Sequence, residues 1–217
     1  MNKYYITTPI YYVNDKPHIG HAYTTIAADV LARYYRQQGA DVHFLIGTDE
    51  NAQKNAECAP EGSGRAAIQE YVDAMSKTWR ETWHKLKISN DDFIKTTEDR
   101  HIKAVEKFWN ACLERGDIYK DTYEGLYCTG CEGYVTEADL VDDLCPHHKR
   151  PPEKLSEENY FFRFSNYKKQ LLDHIEKNPN FIQPTSRRNE VIAFIRDHGN
   201  DFSISRKNLE WGIPVPG

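Results

Sequence analysis

The sequence predicts an α/β fold in which a parallel β-sheet is covered by helices. The first observation is a strand at Tyr4–Thr8, a helix at about Gly20–Gln38 and a buried strand at Val42–Ile46. This order and spacing are typical of a βαβ unit, whose two strands run parallel. The second observation is a change of texture from Ile118 onward, where short aromatic runs alternate with Cys, Gly and Pro. It predicts a domain boundary at about residues 115–118.

Each element of the βαβ unit carries a local signal. Residues Tyr4–Thr8 are aromatic or β-branched, and Pro9 ends the run, as is typical of a short strand. Gly39 ends the helix. The apolar residues that share one face of this helix are Ile26, Val30 and Leu31. Their spacing indicates an amphipathic helix.

Four further helices are predicted. Two are expected at about Arg65–Lys87 and from Thr97 to Gly116, and two at Tyr167–Lys177 and Arg188–Ile195. The residues on one apolar stripe of the first are Ile68, Val72, Met75, Trp79 and Leu86. The residues expected to face inward from the second are Ile102, Val105, Phe108, Cys112 and Leu113. Residues 201–217 are predicted to be irregular.

Composition argues against several classes of protein. The 28 basic and 33 acidic residues give a net charge of −5, so no global positive field indicates nucleic-acid binding. No apolar run approaches the roughly 20 residues of a membrane span, and the N-terminus lacks the apolar core of a signal peptide. An odd number of cysteines, 5, without a secretion signal argues against a disulfide framework. We therefore expect a soluble, cytoplasmic protein with no membrane partner.

The string Pro-His-Ile-Gly-His at residues 17–21 lies where the first helix begins. A helix N-terminus carries unpaired N–H groups and the positive end of the helix dipole, so it favours anions. His18 and His21 add donors there, and Gly20 lets a flat group such as a purine or ribose approach the backbone. These residues predict a polyphosphate site, in which the histidines stabilise charge that develops as a phosphate bond breaks. The residues alone leave open that both histidines only cap the helix or pack in the core.

Asp49 follows the second predicted strand. Open α/β sheets bind ligands at the carboxyl ends of their strands, and a carboxylate there can hold a substrate ammonium group. A capping or turn-forming role is the alternative that this residue alone leaves open.

Three cysteines and a histidine have the spacing Cys-x2-Cys-x13-Cys-x2-His, formed by Cys128, Cys131, Cys145 and His148. Two such pairs suit a tetrahedral zinc ion with three thiolates and one imidazole, and four protein ligands make the site closed and structural. His147 is a competing ligand, although the x2 spacing favours His148. The alternative is three unrelated reduced cysteines.

Residues Thr8–Thr24 resemble the N-terminal signature of methionyl-tRNA synthetases, which are class I enzymes of the Rossmann type. The resemblance is far longer than the His-Ile-Gly-His tetrapeptide, the HIGH motif that class I synthetases share. It continues over essentially all 217 residues in blocks of the same order and spacing, at residues 47–50, 91–94, 116–119, 124–128, 159–162, 188–191 and 211–214.

The resemblance implies a Rossmann-type parallel sheet in residues 1–116, the HIGH-motif half of a class I nucleotidyl-transferase domain. Residues 117–217 would hold the inserted connective-peptide domain, with its zinc knuckle at about 126–150, and would end before the second Rossmann half. The implied activity is that of a methionine–tRNA ligase. Methionine is activated with ATP and Mg²⁺ to methionyl-adenylate and then transferred to tRNA(Met). One structural zinc ion per chain would help to position the tRNA acceptor end.

The resemblance also implies roles for individual residues. His18 and His21 serve the ATP phosphates, and Gly20 lies beneath the nucleotide. Asp49 holds the methionine ammonium group. The residues that line the methionine pocket are Ile10 and Tyr12. Arg206, in the run Ser203–Arg206, assists methionine activation.

The chain departs from the family pattern in two respects. Asn51 and Ala52 stand where the family usually has His-Gly, and the second class I motif, Lys-Met-Ser-Lys-Ser, does not occur. We therefore expect the N-terminal portion of a synthetase, lacking a C-terminal half, with weak or no aminoacylation alone. The alternatives are a zinc- and nucleic-acid-binding module, or one half of a split enzyme whose partner chain carries the lysine motif.

Overall fold

A parallel sheet organises the first of the two compact units into which the chain divides. The computed structural model describes residues 2–60, 64–131, 133–135, 137–206 and 211–216. The first unit comprises Met1–Lys107 with Leu209–Gly217, and the second comprises Phe108–Asn208. The elements up to residue 95 are β1 (Lys3–Thr7), β2 (Tyr11–Tyr12), α1 (Ile19–Gln37), β3 (Asp41–Asp49), α2 (Gln53–Glu57), α3 (Arg65–Lys85) and β4 (Asp92–Lys95).

Strand β3 lies at the centre of this sheet. Its residues Asp41–Leu45 pair with β1, Thr48 and Asp49 pair with β2, and Leu45–Thr48 pair with β4. Every one of these pairings is parallel, which confirms the predicted parallel sheet. Strand β4 has only four residues, too few for a hydrophobic period to indicate it, and it was not predicted.

Helix α3 supplies the aromatic part of the core. Trp79 and Trp83 are buried, and their ring centroids lie 5.8 Å apart. Ile68 and Val72 are buried on the same helix, as the predicted stripe requires. Leu86 is wrong as a member of this stripe, because the helix ends at Lys85 and the Leu86 side chain is 45% exposed.

The apolar face predicted for helix α1 is wrong. The three residues on it are 43%, 58% and 46% exposed, in the order Ile26, Val30 and Leu31. The buried side consists of Thr25, Ala28, Asp29 and Ala32. Small side chains allow close packing, and the carboxylate of Asp29 is tolerated there because Ser89 donates to it from its backbone N–H and its hydroxyl, at 2.7 and 2.6 Å.

Helix α4 (Asp99–Glu114) does not bury the apolar residues that we predicted to face inward. Phe108 and Leu113 are 73% and 42% exposed, and the other three are half-buried. The helix has an amphipathic period, but none of its residues is buried in the part of the chain that the structure describes. Among the described helices, none has both the length and the apolar composition needed to cross a membrane.

An antiparallel sheet organises the second unit. Strands β5 (Ile118–Cys128) and β7 (Glu153–Phe162) pair over ten residues each, from Ile118 opposite Phe162 to Tyr127 opposite Glu153. Strand β6 (Gly133–Val135) extends the sheet beside β5, and β8 (Phe202–Ser203) extends it beside β7. The remaining elements are two helices near their predicted positions, α5 (Lys168–Lys177) and α6 (Thr185–His198), and 3-10 turns at Glu137–Asp139 and Phe164–Tyr167.

The prediction that residues 201–217 are irregular is wrong at Phe202–Ser203, which form β8 by pairing with β7. The segment 211–216 is irregular, yet it belongs to the core of the first unit. Trp211 is 2% exposed and packs in the same hydrophobic cluster as Trp79. Its indole N–H donates to the backbone carbonyl of Glu50 at 2.5 Å. Arg65 lies over the indole ring at 5.1 Å and donates to the carbonyl of Gly212 at 2.8 Å. A residue distant in sequence therefore fixes the chain just after β3.

We predict that Trp211→Ala lowers the free energy of unfolding by about 3–5 kcal/mol, because a large aromatic ring leaves a fully packed site. Urea denaturation followed by circular dichroism measures this change. Val215→Ala is the matched control in the same segment, since Val215 is 36% exposed, and it should change the value by less than about 1 kcal/mol. Equal effects of the two substitutions would contradict a core role for the segment.

Candidate functional site

Two histidines cap the N-terminus of helix α1. His18 is the N-cap residue, and its Nδ1 accepts a hydrogen bond from the Gly20 N–H at 3.1 Å. Nδ1 of His21 accepts from the His18 N–H at 3.2 Å, and the two rings stack with centroids 3.6 Å apart. Because each Nδ1 accepts a backbone proton, each neutral ring carries its own proton on Nε2. The helix terminus therefore presents two imidazole N–H donors.

Gly20 provides the space for this arrangement. A Cβ atom at position 20 would lie 2.9 Å from Cε1 and 3.1 Å from Nδ1 of His18. Such contacts are closer than packed atoms tolerate, so any side chain at position 20 would displace the His18 ring from its cap. The capping geometry is thus a second reason for glycine at this position, besides the close approach of a nucleotide.

His21 is held against the aromatic core. The centroid of its ring lies 4.5 Å from that of the Tyr11 ring and 4.8 Å from that of the Trp79 ring. Burial, and to a lesser extent the nearby charge of His18, lower the pKa of His21 below its usual value. At pH 7 the ring is accordingly neutral, and it donates to an anion without adding a full charge.

The preceding loop is anchored to the same core. The indole N–H of Trp79 donates to the Asp15 carbonyl at 3.0 Å, and the hydroxyl of Tyr71 donates to the Asn14 carbonyl at 3.3 Å. These bonds fix the path of the chain into the helix N-terminus.

Three predicted pocket residues meet at the carboxyl end of β3. Asp49 is the last residue of the strand, and Tyr12 is its direct neighbour on β2. Ile10 lies beside Gly47, because a Cβ at Gly47 would come within 3.2 Å of the Ile10 Cγ2 atom. Ile10 and Tyr12 are 40% and 39% exposed, so both side chains are accessible near this end of β3. This is the edge at which open α/β sheets bind their ligands.

A buried hydrogen-bond network follows Asp49. The side chain of Glu50 is fully buried, and it accepts from Thr48 at 3.1 Å and, through a short hydrogen bond, from Thr97. Burial raises the pKa of Glu50, while these bonds and Lys95, whose Nζ lies 3.7 Å away, counteract the shift. Sequence reasoning assigned no role to Glu50 or to the threonines. In the sequence, Glu50 was indicated only as a member of the block at residues 47–50 that resembles the synthetase family.

In the second unit, the structure brings together the four residues predicted as metal ligands. Their ligand atoms all lie within 4.8 Å of one another. Nδ1 of His148 lies 3.9, 3.3 and 3.8 Å from the sulfur atoms of Cys128, Cys131 and Cys145, in that order. A tetrahedral zinc ion with ordinary bond lengths separates such ligands by about 3.5–3.8 Å. The donor set and these separations are compatible with a structural zinc site.

Gly130 makes room for the His148 ring. A Cβ on Gly130 would lie 2.4 Å from Cγ of His148, far inside van der Waals contact. His147, the competing ligand in the sequence, is exposed and is not part of the cluster found among the described residues.

Arg206 belongs to the second unit. Its guanidinium donates to the Ser203 hydroxyl at 3.0 Å and to the Ser205 carbonyl at 2.9 Å, and it lies 5.4 Å from the Tyr127 ring centroid. These contacts hold the side chain in place.

Comparison with known proteins places this geometry in a family. The family model described as tRNA synthetases class I (M) matches residues 4–154 and 138–217. The chain belongs to the class I tRNA synthetases. Its fold is accordingly the Rossmann-like fold of that family, with the parallel sheet described above.

The relatives of this class I synthetase chain are named methionine–tRNA ligases. It is 50% identical over 222 residues to the ligase of Streptomyces coelicolor, covering 98% of this chain and 41% of that protein. It is also 50% identical over 213 residues to the ligase of Caldanaerobacter subterraneus, covering 98% and 33%. The chain thus spans about a third to two fifths of the length of these relatives.

A solved structure matches the synthetase chain throughout. The Mycobacterium tuberculosis methionyl-tRNA synthetase in complex with methionyl-adenylate gives a TM-score of 0.91 at 41% identity. The match covers 100% of this chain and 43% of that one.

We predict that His21 titrates below pH 6.5, and that His18→Ala raises its pKa by removing a neighbouring charge and uncovering the ring. The Cε1–H chemical shift measured by NMR between pH 4 and pH 9 gives both values, with the resonance assigned from its loss in His21→Gln. The lowered pKa also requires stability to fall as the pH drops below about 6.5, since the unfolded chain binds the proton more tightly. An unchanged His21 pKa in His18→Ala would contradict the stacked arrangement.

Proposed function

We propose that this chain binds ATP and L-methionine for the formation of methionyl-adenylate, and that the whole protein is a methionine–tRNA ligase. The observation that carries the proposal is the match of the whole of this chain to part of a synthetase solved with methionyl-adenylate. The same unit of this chain supplies anion donors at the start of α1 and a carboxylate at the end of β3, which are complementary to the phosphate and to the ammonium group of that compound.

In this proposal the N-terminus of α1 binds the phosphates. The Nε2–H groups of His18 and His21, at the positive end of the α1 dipole, donate to phosphate oxygens, where negative charge develops as the α-phosphate is attacked. Because both rings are already fixed by their Nδ1 hydrogen bonds, little reorganisation is needed during the reaction. Mg²⁺ bound to ATP would share the phosphate charge.

Methionine would bind at the end of β3. The Asp49 carboxylate accepts from the substrate ammonium group, while Ile10 and Tyr12 provide apolar contacts for its side chain. Arg206 would assist activation. Alignment of the methionine carboxylate with the α-phosphate turns the reaction into an effectively unimolecular step. This alignment is the main contribution of the chain to catalysis.

We also propose that residues 1–116 form the first half of the catalytic domain and that residues 117–217 form the connective-peptide insert. The Cys128, Cys131, Cys145 and His148 cluster would hold one structural zinc ion, since its donor set and separations fit. When bound, the ion would cross-link the segment between β5 and β7, and this insert would position the acceptor end of tRNA(Met).

We predict that a non-hydrolysable methionyl-adenylate analogue, methionyl sulfamoyl adenosine, binds the chain in isothermal titration calorimetry. His21→Ala and Asp49→Asn should each weaken binding about 10- to 100-fold, because each removes a hydrogen bond in which one partner is charged or strongly polar. His43→Ala is the matched control, since His43 lies exposed on the same strand as Asp49. A chain that acts only as a zinc- and nucleic-acid-binding module would show no binding of the analogue, which would contradict the proposal.

We predict about one zinc ion per chain by elemental analysis. Gly130→Ala should release zinc to a chelator at least tenfold faster, because its Cβ displaces the His148 ring. Gly64→Ala is the control, since a Cβ at Gly64 meets nothing within 4 Å. Metal-free protein after purification in zinc-supplemented buffer would refute the site, and equal release rates would remove His148 from the ligand set.

A further inference from the structure

The turn after β4 holds the carboxyl end of β3 at several points. The parallel ladder continues past the strands, because the Thr96 N–H donates to the Thr48 carbonyl at 3.3 Å. The Thr96 hydroxyl accepts from the Glu50 N–H at 2.8 Å, and the Thr97 hydroxyl donates to the Glu50 carboxylate. Thr96 is thus hydrogen-bonded to the backbone of Glu50, the residue that follows Asp49, and Thr97 is hydrogen-bonded to its side chain.

The Thr96 hydroxyl also reaches Asp49 itself. A hydroxyl has a single proton, and with its oxygen accepting from Glu50 that proton is available to an acceptor. The Asp49 Oδ1 atom lies 3.4 Å from the Thr96 oxygen and accepts from it. The same Oδ1 accepts from the Asn51 N–H at 3.3 Å. Two donors from different segments therefore define the rotation of the Asp49 carboxylate about its Cβ–Cγ bond.

The side chain of Asn51 stabilises this arrangement through a hydrogen bond. Its Nδ2 donates to the Thr96 carbonyl at 3.0 Å, which ties the loop after β3 to the turn after β4. Asn51 stands where the resembling family usually has histidine. In this chain the amide links Thr96 to the loop, and Thr96 links the loop to the carboxylate.

We propose that Thr96 is a positioning residue for the amino-acid site, orienting Asp49 toward the substrate ammonium group. This inference rests on the proposed function. Thr96 is 4% exposed, so it acts through Asp49 and does not contact the substrate. At 3.4 Å the hydrogen bond is long, and its contribution is to hold the carboxylate in one orientation rather than to supply much energy. A carboxylate held in advance binds an ammonium group without losing rotational freedom at that moment.

The test compares four variants by calorimetric titration with L-methionine, with MgATP, and with 4-(methylthio)butanoate, which lacks the amino group. Thr96→Val removes the hydroxyl at nearly constant shape and should raise the Kd for L-methionine about 3- to 10-fold, the range for one hydrogen bond. Thr96→Ser keeps the hydroxyl and should stay within about twofold of the parent. Thr97→Val removes the bond to Glu50 but not the one to Asp49, so it controls for a purely structural role of the turn.

Affinities for MgATP and for 4-(methylthio)butanoate should be the same in the parent and in Thr96→Val. Thermal unfolding verifies that each variant is folded, and Thr96→Ala replaces Thr96→Val if the latter does not fold. Unchanged methionine affinity in Thr96→Val, or equal losses for all three ligands, would overturn the inference.

The variant Asp49→Asn separates this result from failure of the proposed function. If it binds methionine like the parent, or if the parent itself does not bind, the proposed function is wrong. If Asp49→Asn loses affinity for L-methionine and Thr96→Val does not, only the role of Thr96 is wrong.

Discussion

The parallel pairing of β3 is the interaction on which the first unit depends. The described strands of its sheet, β1, β2 and β4, all pair with β3, so this one strand sets the positions of the loops at its carboxyl end. Parallel pairing also explains why residues from distant parts of the sequence meet there. Tyr12 and Asp49 end β2 and β3, and Thr96 directly follows β4. The three residues are neighbours because these parallel strands end at the same edge. A site assembled in this way inherits the rigidity of the sheet.

The structure also explains how polar groups are kept inside this unit. Glu50 is fully buried, and its carbonyl and carboxylate accept from Trp211, Thr48 and Thr97. A buried carboxylate is stable only when its oxygens are hydrogen-bonded. Thr48 is a local partner of Glu50, whereas Thr97 and Trp211 come from segments that are distant in sequence. The network therefore acts as a cross-link between the segments that surround the candidate site.

The sequence predicted elements whose signals are local. The parallel sheet follows from a strand–helix–strand order within some forty residues, and the helices α1 and α3, the histidines at the start of α1 and the Cys/His spacing follow from patterns within about twenty. The errors arose where tertiary packing decides. Helix α1 buries Asp29 and two alanines instead of Ile26, Val30 and Leu31, because Ser89 supplies hydrogen bonds that no local pattern reveals. Likewise Trp211 lies in a segment without periodicity, so only the fold shows that it is a core residue.

In the proposed complex, the start of α1 binds the phosphate and the end of β3 binds the ammonium group of one compound. NMR titration of the chain with methionyl sulfamoyl adenosine tests this arrangement most directly, by following the amides of Ile19 and Gly20 together with those of Asp49 and Asn51. We expect both pairs of resonances to shift and to give the same Kd for the analogue. Shifts confined to one pair, or a different Kd for each, would contradict it.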